Sequence, residues 1–371
     1  MSLPAHVLTK ENRLMNVLML GRNAQIGGGN TYKCTVMPAL EALGHRVHLM
    51  VGLGPYRKAM KQACGGKVFL NLPGSILVRS QLPGLVRALG IDVVNAHGIS
   101  ATNAAATVCQ RLGIPLVSHV HGLINLQEAT PGLEAATRVV ALNVTTGRWV
   151  SQVPGVAEKT VVSYLPVDVT RFQQRDAAPG EGFTVAYVAR LSKVKSRPAY
   201  ALMEAVLALN EQIPGLKLQI VGGRSQVGKV RQRAAEINSM LGRQAVEVTG
   251  PRFDVEDVYH NAAVVVGTGY VALEALACGR HVIAAGSMGL IGYLRESNFI
   301  AARDANFGDH AAPGQGTAED YTGNLLEAYD AWQEEPTCQW APPLIERDFS
   351  PQGAADDLVT VFSDAISECR R

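Results

Sequence analysis

The sequence predicts an α/β protein: two doubly wound, Rossmann-like parallel sheets facing one another across a cleft. Three observations carry this. Short apolar runs alternate with helical stretches along nearly the whole chain, the pattern of strands buried on both faces by crossover helices. The alternation lapses once, over residues 166–182, where polar residues, Gly and Pro gather, and then restarts. A chain of 371 residues also outgrows a single hydrophobic core, which stops growing near ~250–300 residues. The expected organisation is an N-terminal domain over 1–166 and a C-terminal domain over 167–353. A final amphipathic helix over 354–371 follows a Ser-Pro break and is free to pack back on the N-terminal domain.

The first half begins with the strand Asn16–Gly21 (NVLMLG). Gly27-Gly28-Gly29-Asn30 opens a helical stretch over 31–43, Gly44-His45 closes it, and VHLMV resumes as a strand. Strand, glycine turn, helix and strand make a βαβ unit, because parallel strands need a crossover. VDVVNAHG, a helix over 101–112, PLVSHVHG, VVALN and TVVSYLPV complete this half. The second half repeats the scheme: TVAYVAR, a helix over 199–212, LKLQIVGG, a helix over 227–241, then VEVTG, AAVVVG and HVIAAG.

Composition narrows the class. A hydrophobic fraction of 47% with 18% charged residues describes a globular protein, and a net charge of +2 provides no field for nucleic acid. The six cysteines show no C-x-x-C pair and read as reduced, buried thiols. The leader MSLPAHVLTKENRL lacks the apolar run of a signal peptide, and no stretch is long enough to span a bilayer. A cytoplasmic chain is expected. The basic stretch Tyr56-Arg57-Lys58-Ala59-Met60-Lys61 reads as a solvated helix face or as a point of peripheral membrane contact.

Several motifs carry chemistry. The Gly27-Gly28-Gly29 turn offers backbone N–H groups and a helix N-terminus to an anion; it equally suits a plain tight turn. It is not G-x-G-x-x-G followed by an acid, which argues against a nicotinamide enzyme. After TVAYVAR, Arg190 and Lys195 leave a strand end in A-R-L-S-K-V-K-S. They form either a diphosphate clamp, Arg as a fork and Lys as a point charge, or a solvated basic loop. Gly267-Thr268-Gly269 turns from a strand into a helix that carries Glu274, placed to accept ribose hydroxyls or simply to complement the helix dipole. His97 ends NAHG, and His119 and His121 share one face of HVHG by strand alternation. His121 is expected to face the cleft, His97 either to line it or simply to pack its loop, and His119 to be a hydrogen-bonded core residue. A zinc site from the three lacks a Cys or acidic ligand at metal spacing, so no metal is expected.

At these motifs the chain resembles the GT-B glycosyltransferases of family 4, retaining nucleotide-sugar transferases. LEALACGRHVIAAG is similar to that family's L-E-A-(M/L)-A-x-G-x-P-V-I-A segment, VARLSKVKS to G-R-L-x-x-x-K-G, and YLPVDVTRF to its interdomain signature. GGGNTY, IDVVNAHG and IPLVSHVHG resemble its N-terminal landmarks, so the likeness runs in order from Asn16 onward. It implies a hexosyltransferase with an acceptor-side N-terminal domain and a donor-binding C-terminal domain. Arg190 and Lys195 would neutralise the leaving diphosphate, Glu274 would hold the ribose, and Thr268 and Gly269 would offer amides to the β-phosphate or the sugar. His121 would stand by the transferred sugar, Gly28 and Gly29 would let the first loop approach the donor, and His97 and Asn30 would lie toward the acceptor. The partners implied are a nucleotide-diphosphate sugar and a glycan, lipid-linked or small-molecule acceptor, with no cofactor or metal.

One departure matters. The family carries two glutamates in E-x7-E, and counting back from Glu274 reaches Val266. Ala189, Ser196 and His281 also replace Gly, Gly and Pro. The loss at Val266 leaves an alternative open, a catalytically impaired relative that binds nucleotide or a partner. A nucleotide-sugar epimerase of similar architecture would show other carboxylates around the histidine, and the sequence has none.

Overall fold

The computed structural model describes residues 13–71, 75–175, 182–252 and 254–370. The first sheet comprises β1 (Asn16–Gly21), β2 (Arg46–Val51), β3 (Val68–Leu70), β4 (Val93–His97), β5 (Leu116–Val120), β6 (Arg138–Ala141) and β7 (Thr160–Val162). All are parallel, in the order β3-β2-β1-β4-β5-β6-β7. The connections are α1 (Gly28–Ala42), α2 (Arg57–Gln62), α3 (Ser75–Leu89), α4 (Ile99–Leu112), α5 (Leu126–Ala135) and α6 (Val144–Val150). The central strands β4 and β5 are buried throughout, as a sheet covered on both faces requires.

The second sheet repeats the winding with β8 (Thr184–Val188), β9 (Lys217–Val221), β10 (Val246–Gly250), β11 (Val264–Gly267), β12 (His281–Gly286) and β13 (Gly289–Tyr293). Its order is β10-β9-β8-β11-β12-β13. Its helices are α7 (Arg197–Leu209), α8 (Val227–Leu241), α9 (Val255–His260), α10 (Tyr270–Ala277), α11 (Glu296–Asp304), α12 (Ala318–Glu334), α13 (Ala341–Asp348) and α14 (Pro351–Cys369). The last strand departs from the parallel pattern: β13 pairs antiparallel with β12. The two residues between them cannot form a crossover, so only a hairpin is possible.

The expected helix over 31–43 starts earlier. Gly27 is its N-cap, and the Gly27 carbonyl accepts from Asn30 N (2.9 Å) and Thr31 N (3.1 Å). The glycines are therefore the first turn of α1 rather than a loop before it. The expected linker falls partly on residues 176–181, outside the described residues.

The chain's end returns to the N-terminal sheet. Ser350 caps α14 by accepting from Gly353 N at 3.1 Å, with Pro351 in the first turn. Leu358, Val361, Phe362 and Ala365 of α14 share a buried core with Val36, Met37 and Leu40 of α1. Each large apolar side chain buried there contributes roughly 1.5–3 kcal/mol. Among the described residues no helix is long and apolar enough to cross a membrane.

Candidate functional site

In a doubly wound sheet the loops diverge at the carboxyl ends of the two strands where the order reverses, leaving a crevice. Here those pairs are β1/β4 and β8/β11. Gly21 and His97 are register partners at the first. Arg190 and Lys195 follow β8, and Thr268 and Gly269 follow β11, at the second.

The Gly27–Gly29 turn connects the two. A Cβ on Gly27 would lie 3.5 Å from the Arg190 guanidinium, one on Gly28 3.4 Å from the Tyr270 ring, and one on Gly29 3.2 Å from the His121 ring. Backbone without side chains thus approaches a cation, an aromatic ring and an imidazole drawn from both halves. Beneath it the buried Lys33 donates to the Gly29 carbonyl at 2.6 Å, and burial lowers its pKa to about 7. Asn30 spends its amide on the Asn23 and Gln25 carbonyls, at 3.0 and 2.7 Å, so that group fastens the loop.

The three histidines form one cluster of near-parallel rings. His97, His119 and His121 lie with ring centroids 4.5–5.2 Å apart and planes within 8–17° of parallel. Tyr32 packs edge-on against His119 at 4.4 Å. His97 Nδ1 and His121 Nε2 share a hydrogen bond of 2.9 Å. His97 is buried and is bonded to His121 rather than directed to open cleft. His119 corrects the expectation of a hydrogen-bonded core histidine: it is fully buried, and neither ring nitrogen has a partner. Burial depresses all three pKa values, that of His119 to about 3, with Lys33 adding to the effect. One ring nitrogen from each of the three falls within 4.8 Å of the others.

The second switch point is charged. Arg190 is exposed, and Lys195 donates to Asp309 at 2.6 Å with both side chains about one-fifth exposed. The other Asp309 oxygen accepts from Ser287 N at 2.8 Å. Burial works against Asp309 ionisation, yet Lys195 and the Ser287 hydrogen bonds outweigh it and hold the carboxyl below its usual value. Gly269 caps α10 at φ +53°, a region that disfavours side chains. The Thr268 hydroxyl donates to the Asn306 carbonyl at 2.7 Å.

Glu274 is buried and accepts from the Tyr259 hydroxyl at 2.9 Å. Burial raises its pKa to about 7, against the opposing Tyr259 bond and Arg171. It lines a cavity of about 100 Å³ with Thr31, Cys34 and Tyr56 from one half and Asp168, Arg171 and Tyr270 from the other. Val266 points elsewhere: it is fully buried within β11, between Tyr187 and Ile283.

Two family models match the chain in succession. Glycosyltransferase Family 4 covers residues 26–171, and Glycosyl transferases group 1 covers residues 182–307. The chain belongs to glycosyltransferase family 4. This family-4 enzyme uses a nucleotide-sugar donor. It is similar to the D-inositol 3-phosphate glycosyltransferase 1 of Catenulispora acidiphila, at 27% identity over 72% of this chain and 77% of that protein. Among solved structures it resembles Anabaena Alr3699/HepE in complex with UDP (TM-score 0.74, 19% identity, 94% of this chain and 100% of that one). A glycosyltransferase from Rickettsia africae gives a TM-score of 0.76 at 15% identity, over 95% and 99% of the two chains. At these identities the structural likeness is one of fold, the GT-B pair of sheets.

Lys33, Tyr259, Asp309 and His310 belong to no motif that the sequence announces. Lys33 left one trace: it sits on the apolar stripe of α1 with Val36, Met37 and Leu40, a place where a solvated lysine does not belong.

Proposed function

We propose that this enzyme transfers a hexose from a UDP-linked donor, with retention, to a hydroxyl of a glycan, lipid-linked or small-molecule acceptor. The observation that carries the reading is the Gly27–Gly29 turn, which lies against Arg190 and Tyr270 on one side and His121 on the other. A diphosphate drawn to Arg190 and Lys195 would then have its sugar beside His121. The bond from the anomeric carbon to the β-phosphate oxygen breaks with its electron pair going to the diphosphate. Preorganised cations are worth most at that moment, because the charge they face is developing. Thr268 and Gly269 offer amides to the same phosphate, and Glu274 accepts the ribose hydroxyls. UDP as the nucleotide is supported by its presence in the HepE complex. The Catenulispora relative makes a phosphorylated cyclitol the first acceptor to assay. The basic face of α2, with Lys58 and Lys61, is the candidate for peripheral membrane contact, and six unpaired cysteines fit a cytoplasmic setting.

Calorimetry with UDP tests the reading, supported by thermal shift. At 100 times the dissociation constant UDP should stabilise the protein by about 2.7 kcal/mol, and Arg190→Ala should remove most of that. No binding by any nucleoside diphosphate would sink the proposal. A second reading, a nucleotide-binding relative with impaired catalysis, is favoured by Val266, buried where the family places a carboxylate. Slow hydrolysis of UDP-sugar by the wild type, lost in His121→Ala, would exclude it.

A further inference from the structure

One turn contacts both Thr268 and Lys195 and reaches across to the N-terminal half. Residues 306–310 read Asn-Phe-Gly-Asp-His. Asn306 and Phe307, at φ 49° and 53°, are the two non-glycine residues with positive φ among the described residues. Such a conformation persists only where its surroundings over-determine it, and it clusters at functional sites. Here the surroundings do so. Phe307 is buried against Phe299, the Gly308 carbonyl accepts from Met288 N at 2.9 Å, and the Asn306 carbonyl accepts from Thr268, in the turn that caps α10.

The turn delivers two adjacent side chains to two different halves of the molecule. Asp309 holds Lys195 at 2.6 Å. His310 crosses the cleft and is buried against α6: its Nδ1 lies 3.0 Å from Asn143 Nδ2 and 3.2 Å from Thr146 Oγ1. Asn143 Oδ1 already caps α6 by accepting from Thr146 N at 2.8 Å, so its amide donates to His310. Nδ1 is then the acceptor and Nε2 carries the proton. Nε2 sits 3.3 Å from the point a Gly122 Cβ would occupy, one residue from His121.

We propose that Asp309 positions the Lys195 ammonium for the donor diphosphate and that His310 makes this positioning depend on cleft closure. The inference rests on the donor reading above. A lysine ammonium has three N–H donors; Asp309 takes one, and two remain for phosphate oxygens. Fixing a flexible four-carbon stem before the ligand arrives removes an ordering cost from binding. The rival role for Asp309 is a stand-in anion that the diphosphate displaces, and it predicts the opposite sign.

The test compares UDP with uridine by calorimetry on the full chain. Asp309→Asn keeps an acceptor oxygen for the Ser287 N–H while removing the charge. UDP should bind at least tenfold more weakly and uridine within twofold of wild type, a split that general damage to the fold would not produce. His310→Ala and Thr146→Val approach the interdomain contact from its two sides. His310→Ala should weaken UDP about threefold and Thr146→Val less, since the Asn143 bond remains, and the double variant should weaken it no more than His310→Ala alone. These two carry the test if the Asp309 variant fails to fold. Unchanged or tighter UDP binding by Asp309→Asn overturns the proposal, as do additive or uridine-matched losses at His310 and Thr146. Absence of UDP binding in the wild type would instead remove the donor reading and this inference with it.

Discussion

The two switch points of this enzyme solve opposite problems with the same topology. At the first, β1/β4, three near-parallel imidazoles cluster beside Tyr32, His97 and His119 buried and His121 half-buried, with a hydrogen bond between His97 and His121 and burial disfavouring their charged forms. At the second, β8/β11, cations stand partly in solvent, and Lys195 is held by a carboxylate kept ionised. On the proposed reading the second point takes a phosphate and has to keep charge available, so its cations stay near water and Lys195 is paired. A site beside a neutral sugar can be dry. The difference shows that the crevice geometry comes with the fold, whereas its electrostatics come from how deeply each loop is buried.

The comparison breaks first at the charged side. Arg190→Ala or Lys195→Ala should lower kcat/KM by a factor on the order of 10²–10³, measured with UDP-sugar at fixed acceptor. An effect below tenfold would mean the clamp is not where the diphosphate binds.

Acid should reveal the neutral side. His97 and His119 have folded pKa values far below 6.5, so the unfolded chain binds more protons than the folded one below that pH. Stability therefore falls as pH drops from about 6.5, by about 1.4 kcal/mol per pH unit for each histidine that charges only on unfolding. Urea melts at pH 7, 6 and 5 measure this; a flat profile would show that the cluster protonates in place.

Glu274 has the reverse sign. Its folded pKa is raised to about 7, and accepting ribose hydroxyls favours the ionised form. Uridine affinity should then rise roughly tenfold between pH 5.5 and 7.5 with release of a proton, and Glu274→Gln should flatten the dependence. The smallest effect is expected at His119. Replacing it with Leu removes two unpartnered nitrogens and should leave stability within about 1 kcal/mol of wild type, on the stabilising side. It should also make the acid profile shallower. A loss above that size would mean those nitrogens are served by a group such as bound water.

Much of the fold was legible because periodicity is local. Buried parallel strands read as runs such as VVV before Gly267, and the lapse over 166–182 separated two winding patterns. The antiparallel β13 was not legible, because its pairing depends on a hairpin of small residues that could as well have been a loop. Arg190, Lys195 and Glu274 were singled out from their places after strand ends, since a doubly wound sheet puts those ends in one crevice. Asp309 and His310 were not found. Their roles come from contacts over a hundred residues away in sequence, to Lys195 and Asn143, and nothing local records such partners.

The two wound halves, the glycine turn and the family were legible in the chain itself, because strand period, turn chemistry and motif order are properties of neighbouring residues. That His97 faces His121, that His119 is fully buried, that Val266 belongs to a core and that Lys195 has a carboxylate beside it emerged from the folded arrangement alone. Burial and ion pairing are properties of packing, and packing joins residues the chain keeps far apart.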